Sequence, residues 1–387
     1  MNDKKRDHPV WMEISRKNIE YNWRSIQETV GEKITIIPMI KSNGYGHDSV
    51  LVGNILQDLG AKYVGVSAFR EAKELRQGGV KIPLLVLDYV DSSNIVEALE
   101  LDMVLAISDS EMFPAIENTA GKIGKKARVH LYVDTGMHRE GIWPNEEAIM
   151  LAKEVHESPH VDLEGIMTHF ATAGDDDPSF AYEQLEVFNH YLDELQSNNI
   201  PLPSYIHVAN GASVMRLPKM HRDDPKKRLS AVRPGNIIYG LPPGDFPFAF
   251  TPKRAMVALK AKLACVKTIP AGSTVGYGRT WKAEKDTRIG IVPMGYTDGY
   301  RRSLSHEVGC MLVGGKKAPI IGLISMNQTV LKLPNEGDFA LGDEVVIIGK
   351  QGDEEITIEE VAEKMGTFWF EYIVNINGKR IPRMLID

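Results

Sequence analysis

The stretch ITIIPMIKSNGYGHDSVLVGNILQDLGAKYVGVSAFREAKELRQGGVKIPLLVL, residues 34–87, decides the fold. Three short apolar runs rich in β-branched residues, Ile34–Met39, Tyr63–Ser67 and Leu84–Leu87, read as strands. Between them lie DSVLVGNILQDLGA and FREAKELRQGG, whose apolar residues recur every three or four positions and run out at glycine, as helices do.

The alternation continues outward. Met103–Ile107, Arg128–Asp134, Leu163–His169, Tyr205–Ala209 and Val232–Tyr239 complete a set of eight candidate strands, with helical stretches such as YEQLEVFNHYLDELQSNN between them. Eight strand–helix units over roughly 240 residues predict an α/β domain of the TIM type, a (β/α)8 barrel spanning residues 1–248. After about Phe250 the texture changes to short strands punctuated by turn residues: MVALKAKLACVKTI, TRIGIVPMGY, GCMLVGG, KAPIIGLIS, QTVLKL and DEVVIIG. These predict a second, mainly β domain over residues 249–387, joined through LPPGDFPFAFTPKR. The opening segment VWMEISRKNIEYNW precedes the first barrel strand and is a candidate partner for the distant β domain.

Composition narrows the function. A chain of 387 residues, 43% hydrophobic and 25% charged, buries a large core, and its net charge of -7 offers no general attraction for nucleic acid or an anionic membrane. A small-molecule partner is favoured. The two cysteines, Cys265 and Cys310, lie far apart with no C-x-x-C or His-rich companion that would suggest zinc, so no metal is expected and both read as buried thiols in a reducing compartment. MNDKKRDHPVW has basic residues but no apolar core behind them, and no stretch approaches the roughly 20 apolar residues of a membrane helix. Cytoplasmic residence is the default expectation.

Chemically useful residues gather at the C-terminal ends of the barrel strands, where such barrels place active sites. Lys41 follows IIPMI, His169 follows EGIMT, Asn210 follows IHVA, and Arg233 and Gly235 lie in AVRPG. Taken singly, each has an ordinary alternative as a solvated charge, a satisfied core imidazole or a tight turn. The run PMIKSNGYGHD joins its lysine to small and glycine positions that let a planar ligand approach the backbone, and adds the Tyr45 hydroxyl. R-P-G-N at Arg233–Asn236 suggests backbone N–H groups that hold an anion.

At this point the chain resembles the alanine racemases, the fold-type III pyridoxal 5'-phosphate enzymes. IKSNGYGHD resembles the family's lysine motif, VDTGMHREG its substrate-arginine motif, THFATA and HVANGA its cofactor-wall segments and AVRPGNIIYG its pyridine and phosphate segment. VGYGRTW resembles the catalytic tyrosine motif, and GYTDGYRR with ISMNQ the elements supplied by a second subunit; Tyr277 precedes Tyr296 by 19 residues, as in the family.

The resemblance implies racemisation of L- and D-amino acids, alanine first among them, and a place in making D-amino acids as peptidoglycan precursors. It implies a head-to-tail homodimer with shared active sites, in which Lys41 carries the cofactor and serves one face of the substrate while Tyr277 serves the other as the second acid/base. It gives Arg233 to the pyridine nitrogen, where a guanidinium donates a hydrogen bond without protonating the ring. The same resemblance gives His207 the task of orienting Arg233, and sets His169 to pack along or bond near the ring. Tyr45, Asn210, Gly211, Gly235, Asn236 and Lys379 complete the cofactor set. Arg139, the backbone N–H of Met326, and Tyr296 form the substrate set.

Several positions depart from the family. Tyr132 replaces a lysine that is often carbamylated and braces the substrate arginine, leaving a hydroxyl, an anion or water to brace Arg139. Gly211 stands where a phosphate-binding serine is common, Asn327 where aspartate is usual, Leu323 where an arginine guards the mouth, Gly174 where aspartate is frequent, and Lys379 where a tyrosine narrows the pocket. These changes open the question of specificity toward serine, lysine or ornithine. Three rival functions fit less well. A fold-type III decarboxylase would carry a carboxylate where Arg233 stands, a single-barrel cofactor carrier would lack the domain holding Tyr277, and a metal-assisted D-amino-acid aldolase or dehydratase would need a C-terminal His/Cys pair.

Overall fold

The computed structural model describes residues 8–242, 244 and 246–387. The basic opening MNDKKRD, and Pro243 and Asp245 of the LPPGDFPFAFTPKR join, lie outside the described residues. The chain divides into two units: Lys17–Tyr45 with Ser49–Lys253, and the described residues up to Arg16 with Gly46–Asp48 and Arg254–Asp387.

Strand β1 (Val10–Ile14) belongs to the second of these. Eight parallel strands of the first unit follow it: β2 (Thr35–Ile36), β3 (Val64–Val66), β4 (Leu84–Val86), β5 (Met103–Ile107), β6 (Ala127–Tyr132), β7 (Val161–Met167), β8 (Tyr205–Asn210) and β9 (Ala231–Arg233). Each pairs with the next from β3 to β9, and β9 pairs back onto β2 through Thr35–Ala231 and Ile36–Val232. A bridge between Met39 and Gly65 closes the ring, with Gly65 N donating to Pro38 O at 2.9 Å and Ile40 N to Gly65 O at 2.8 Å. The barrel therefore has no free edge. Helices Ser49–Asp58, Phe69–Gln77, Ile95–Glu100, Met112–Ile123, Glu146–Glu157 and Ser179–Ser197 fill the crossovers.

The strand period of two fills the interior in layers. Leu85 and Val104 pack with Ile37, Tyr63 and Ala231, while Ala106, two residues beyond Val104, packs with Tyr132 and Met167; Leu87 touches both groups. Several strands are shorter than the sequence suggests, Ile34–Met39 and Val232–Tyr239 most of all. Val232–Tyr239 divides into β9 and a 3-10 turn, Asn236–Tyr239, because Pro234 has no N–H to extend the ladder.

In the second unit β1 is followed by β10 (Met256–Lys262), β11 (Cys265–Ile269), β12 (Thr274–Val275), β13 (Trp281–Lys282), β14 (Thr287–Val292), β15 (Cys310–Val313), β16 (Lys316–Pro319), β17 (Thr329–Lys332), β18 (Glu344–Gln351), β19 (Glu354–Ile356) and β20 (Arg383–Leu385). One sheet runs β16–β15–β18–β10–β1–β20, with β19 on β18; β11–β14–β17 and β12–β13 form two smaller ones. β1 lies antiparallel to β10 and parallel to β20. Four of its five residues are buried, as a central strand requires. Two helices in this mainly β unit, Ile358–Met365 and Trp369–Asn375, escape the sequence reading, although Thr357 and Glu360 form a capping box at the first. Both cysteines are free and half-buried, less enclosed than expected. No described helix is long and apolar enough to cross a membrane.

Candidate active site

Beyond β2 the chain turns left-handed. Ser42 (φ 52), Asn43 (φ 55), Gly44 (φ 62) and Tyr45 (φ 50) form one left-handed turn directly after Lys41. Each non-glycine residue there costs about 1–2 kcal/mol, so the surroundings must hold the turn. Gly44 N donates to Ile40 O at 3.0 Å, Ser49 N to Asn43 Oδ1 at 3.2 Å, and Ser42 N to Glu71 Oε1 at 2.6 Å.

The strand ends above the barrel enclose a cavity of about 540 Å³ whose lining includes Lys41 and Tyr45, Arg139, His169, Asn210 and Gly211, and Arg233, Gly235 and Asn236. Burial, and then the Arg139 charge, lower the pKa of Lys41, against Asp88, Glu71 and Glu140 pulling it up. The amine is thus neutral over a wider pH range than a surface lysine's. Tyr45 stacks on Tyr239 with ring centroids 5.0 Å apart, and burial pushes its hydroxyl up to about 12.

Two glycines let the cavity wall close up here. A Cβ on Gly235 would lie 2.3 Å from the Tyr45 hydroxyl, and one on Gly211 would lie 2.1 Å from Asn236 Oδ1. Asn210 Oδ1 accepts from Ser213 N at 3.1 Å and so caps the short helix Gly211–Arg216. The Tyr45 hydroxyl, the Gly211 backbone and the R-P-G-N turn therefore border one polar recess.

Arg233 is a buried cation with no carboxylate in ion-pair range among the described residues. Carbonyl and imidazole acceptors hold it instead: Nη1 donates to His207 O at 2.7 Å and meets His207 Nδ1 at 2.6 Å, while Nη2 donates to Thr168 O at 2.5 Å. Burial lowers its pKa to about 10, which leaves it charged at neutral pH. A guanidinium can only donate, so His207 Nδ1 accepts and the proton sits on Nε2, facing His130 Nδ1 at 2.8 Å. The proton of His130 is then on Nε2, which has no hydrogen-bond partner among the described residues. Burial and Arg233 keep His207 well below the usual imidazole range and hold His130 and His169 to about 3, so all three rings are neutral.

Arg139 sits on the loop after β6. Asp134 Oδ1 shapes that loop by accepting from Gly136 N at 2.9 Å and His138 N at 3.1 Å. The Arg139 guanidinium is exposed and makes no hydrogen bond or ion pair among the described residues, the pair with Glu140 included. Tyr132 lies buried in the same cavity wall, which Gly174 and the more accessible carboxylates Asp88, Glu140 and Asp175 also line.

Three supporting residues were missed in the sequence. Glu71 holds the lysine turn, and His130 backs His207. Gln184, fully buried, accepts from Ala171 N at 2.9 Å and donates to His169 O at 3.0 Å, holding the segment that carries His169. A signal existed for Gln184: it is a polar residue on the apolar face that Ala181, Leu185 and Phe188 define.

Tyr277, Tyr296, Met326 and Lys379 belong to the β unit and are not among the described residues lining the cavity. Tyr277 begins a 3-10 turn after β12 and is 73% exposed; Tyr296, Met326 and Lys379 are exposed as well. Tyr296 N donates to Ser325 O at 3.2 Å, and Thr297 Oγ1 donates to Met326 O at 2.9 Å while accepting from Asn327 Nδ2 at 2.7 Å and Arg380 Nη1 at 3.0 Å. Met326 and Tyr296 are thereby brought together. Gly322, whose Cβ would lie 2.9 Å from Val275 O, ties the same stretch to the approach to Tyr277.

Residues 14–243 match the profile of the alanine racemase N-terminal domain, and residues 256–385 that of the alanine racemase C-terminal domain. The chain belongs to the alanine racemase family. It is 36% identical to the alanine racemase of Carboxydothermus hydrogenoformans, covering 98% of this chain and 100% of that one. Identity to the alanine racemase of Methanococcus maripaludis is 33%, over 98% and 99%. Among solved structures, the alanine racemase of Clostridium difficile 630 superposes with a TM-score of 0.90 at 31% identity, over 99% of this chain and 97% of that one. The Bacillus anthracis alanine racemase with bound L-Ala-P gives 0.87 at 32% identity, over 98% and 95%. A racemase barrel followed by a racemase β domain is therefore the family architecture here.

Proposed function

We propose that this chain is a pyridoxal-phosphate-dependent amino-acid racemase acting on alanine, as a homodimer in which Lys41 of one subunit faces Tyr277 of the partner subunit. The observation that carries the reading is Lys41 itself, a half-buried amine of lowered pKa at the mouth of the barrel, opposite Arg139. The residues present suit the cofactor. An amine readily freed of its proton suits an aldehyde, and the polar part of the cavity lined by Tyr45, Asn210, Gly211, Gly235 and Asn236 suits a phosphate. Bound at Lys41, the cofactor would supply the sink for the electrons left at Cα when its proton departs.

The chain's own groups do the rest. Arg139 offers a planar, permanently charged fork to the substrate carboxylate, with the Met326 N–H and Tyr296 completing that end. Lys41 Nζ takes or returns the α-proton on one face, and the Tyr277 hydroxyl does so on the other. Arg233 would hold the cofactor's ring nitrogen as a donor while keeping its own proton, because its pKa stays near 10. His207 and Gln184 hold Arg233 and His169 in place, and Lys379 is assigned to the phosphate side of the cofactor on the family motif alone.

A second reading, a racemase of broader or different specificity (serine, lysine or ornithine), is favoured for lysine and ornithine by one feature of the cavity. Asp88, Glu140 and Asp175 line it together with Gly174, so that a cationic side chain finds both room and countercharge. The test is a racemisation screen of the purified protein against the common L- and D-amino acids by chiral chromatography. Alanine turnover in both directions is expected; no turnover of any amino acid in the presence of the cofactor refutes the proposal.

A further inference from the structure

Glu71 binds three backbone N–H groups from two separate strand ends. Its Oε2 accepts from Ser67 N at 3.0 Å and Ala68 N at 3.2 Å, while Oε1 accepts from Ser42 N at 2.6 Å. The first pair is the work of a residue at the third position of the helix Phe69–Gln77, where a glutamate reaches back to the cap. Nothing in that helix calls for the third bond, which falls on the first residue of the left-handed turn after Lys41.

We propose that Glu71 is a positioning residue for Lys41: its carboxylate clamps the left-handed turn to the end of β3 and so fixes where the lysine amine stands. The proposal deepens the reading of Lys41 as the cofactor-bearing residue and rests on it. Ser42 and Asn43 are exposed and lie in a backbone region that serine seldom visits, so packing does little to hold them there. Their other supports, Gly44 N to Ile40 O and Ser49 N to Asn43 Oδ1, lie within the turn or reach the helix just after it. Among the described residues, only the Glu71 bond ties the turn's first residue to a different strand. The side chain must be a carboxylate to serve both ends. Glutamine has one acceptor oxygen, and its amide nitrogen would meet an N–H donor head-on. Aspartate is one methylene short.

Helix capping and clamping are separable. Glu71→Ala removes both. Adding Ala68→Ser returns a side-chain acceptor to the helix cap, and a serine at that place does not extend to Ser42. Thermal midpoint, backbone amide exchange over residues 42–45 and the rate of cofactor release are measured on the full-length purified protein. The double variant is expected to regain much of the midpoint lost in Glu71→Ala, yet to keep amide exchange over residues 42–45 roughly tenfold or more faster than wild type, the factor for one lost charge-assisted hydrogen bond. Cofactor release is expected to stay fast with it. If the double variant restores both exchange and release to wild-type rates, Glu71 is a helix cap only. Exchange is read from the chain itself, so borohydride fixing the cofactor to a different lysine would overturn the reading of Lys41 separately.

Discussion

Replacing Gln184 by methionine removes two hydrogen bonds at almost constant side-chain volume. The glutamine is fully buried on the helix Ser179–Ser197, between Ala171 N at 2.9 Å and His169 O at 3.0 Å, with a longer contact to Thr135 Oγ1 at 3.4 Å. A thioether satisfies neither main-chain group, and each orphaned group costs about 1–3 kcal/mol, so the loss is about 2–6 kcal/mol. For a unit of this size, at about 2–4 °C per kcal/mol, that lowers the thermal midpoint by about 4–24 °C. Circular dichroism melts of the purified variant measure it. The affinity for the cofactor should fall with it, because His169 and Ala171 both line the cavity. Gln184→Glu separates the two bonds. Its carboxylate still accepts from Ala171 N but cannot donate to His169 O until it is protonated. Burial raises the folded-state pKa of such a group above its unfolded value. Its contribution is therefore present at low pH and is lost as the pH rises through the folded pKa. The Glu variant should approach wild type as the pH falls from about 8 to about 5, while the Met variant stays displaced. A loss below about 1 kcal/mol for Met, or a Glu–Met difference that ignores pH, would refute the argument.

Lys41→Ala should abolish the absorbance of the lysine-bound cofactor, and borohydride treatment followed by peptide mapping should find no cofactor fixed elsewhere; a label on another lysine excludes Lys41. Mixing inactive Lys41→Ala chains with inactive Tyr277→Phe chains should restore activity through one intact hybrid site, and failure despite verified subunit exchange would mean that each site is built within one chain. Lys379→Tyr should shift the ratio of kcat/KM between alanine and lysine or ornithine toward alanine, by about 10–200-fold if the residue gates one methylene's worth of space. An unchanged ratio removes Lys379 from the specificity set.

Why the principal residues were legible and their supports were not has a physical explanation. The barrel was readable because strand and helix periods are local, and each strand's apolar run, such as LLVL at residues 84–87, carries its own signal. Lys41, His169, Asn210 and Arg233 were readable because a barrel puts its chemistry at strand ends, a position that the same local pattern marks. The pairing of β1 with β10 and β20 is different in kind. VWMEI is a buried strand by composition, but nothing within it names partners from the far end of the chain, and the sequence offered that pairing only as a candidate. The left-handed turn was hidden for a related reason. Its single glycine marks one position, whereas Ser42, Asn43 and Tyr45 adopt the same conformation because bonds from elsewhere hold them there.

His130 shows how a support can look inert from the sequence. In ARVHLY it stands among apolar residues, where a satisfied core imidazole is the ordinary reading. Its significance depends on the register that sets it 2.8 Å from His207, and on Arg233 being unable to accept a hydrogen bond. Donation then runs in one direction only, from Arg233 to His207 to His130, and ends on a buried N–H without a partner among the described residues. Reversing the chain would turn an N–H of His207 against the guanidinium. Protonating either ring would add a second cation beside a buried one, which the low pKa of both imidazoles resists. The barrel core thus presents Arg233 to the cavity as a lone, fixed donor, as a weakly protonating partner for a cofactor nitrogen requires. The chemistry is written at the strand ends, but its direction is set one layer below, by contacts that only the closed barrel creates.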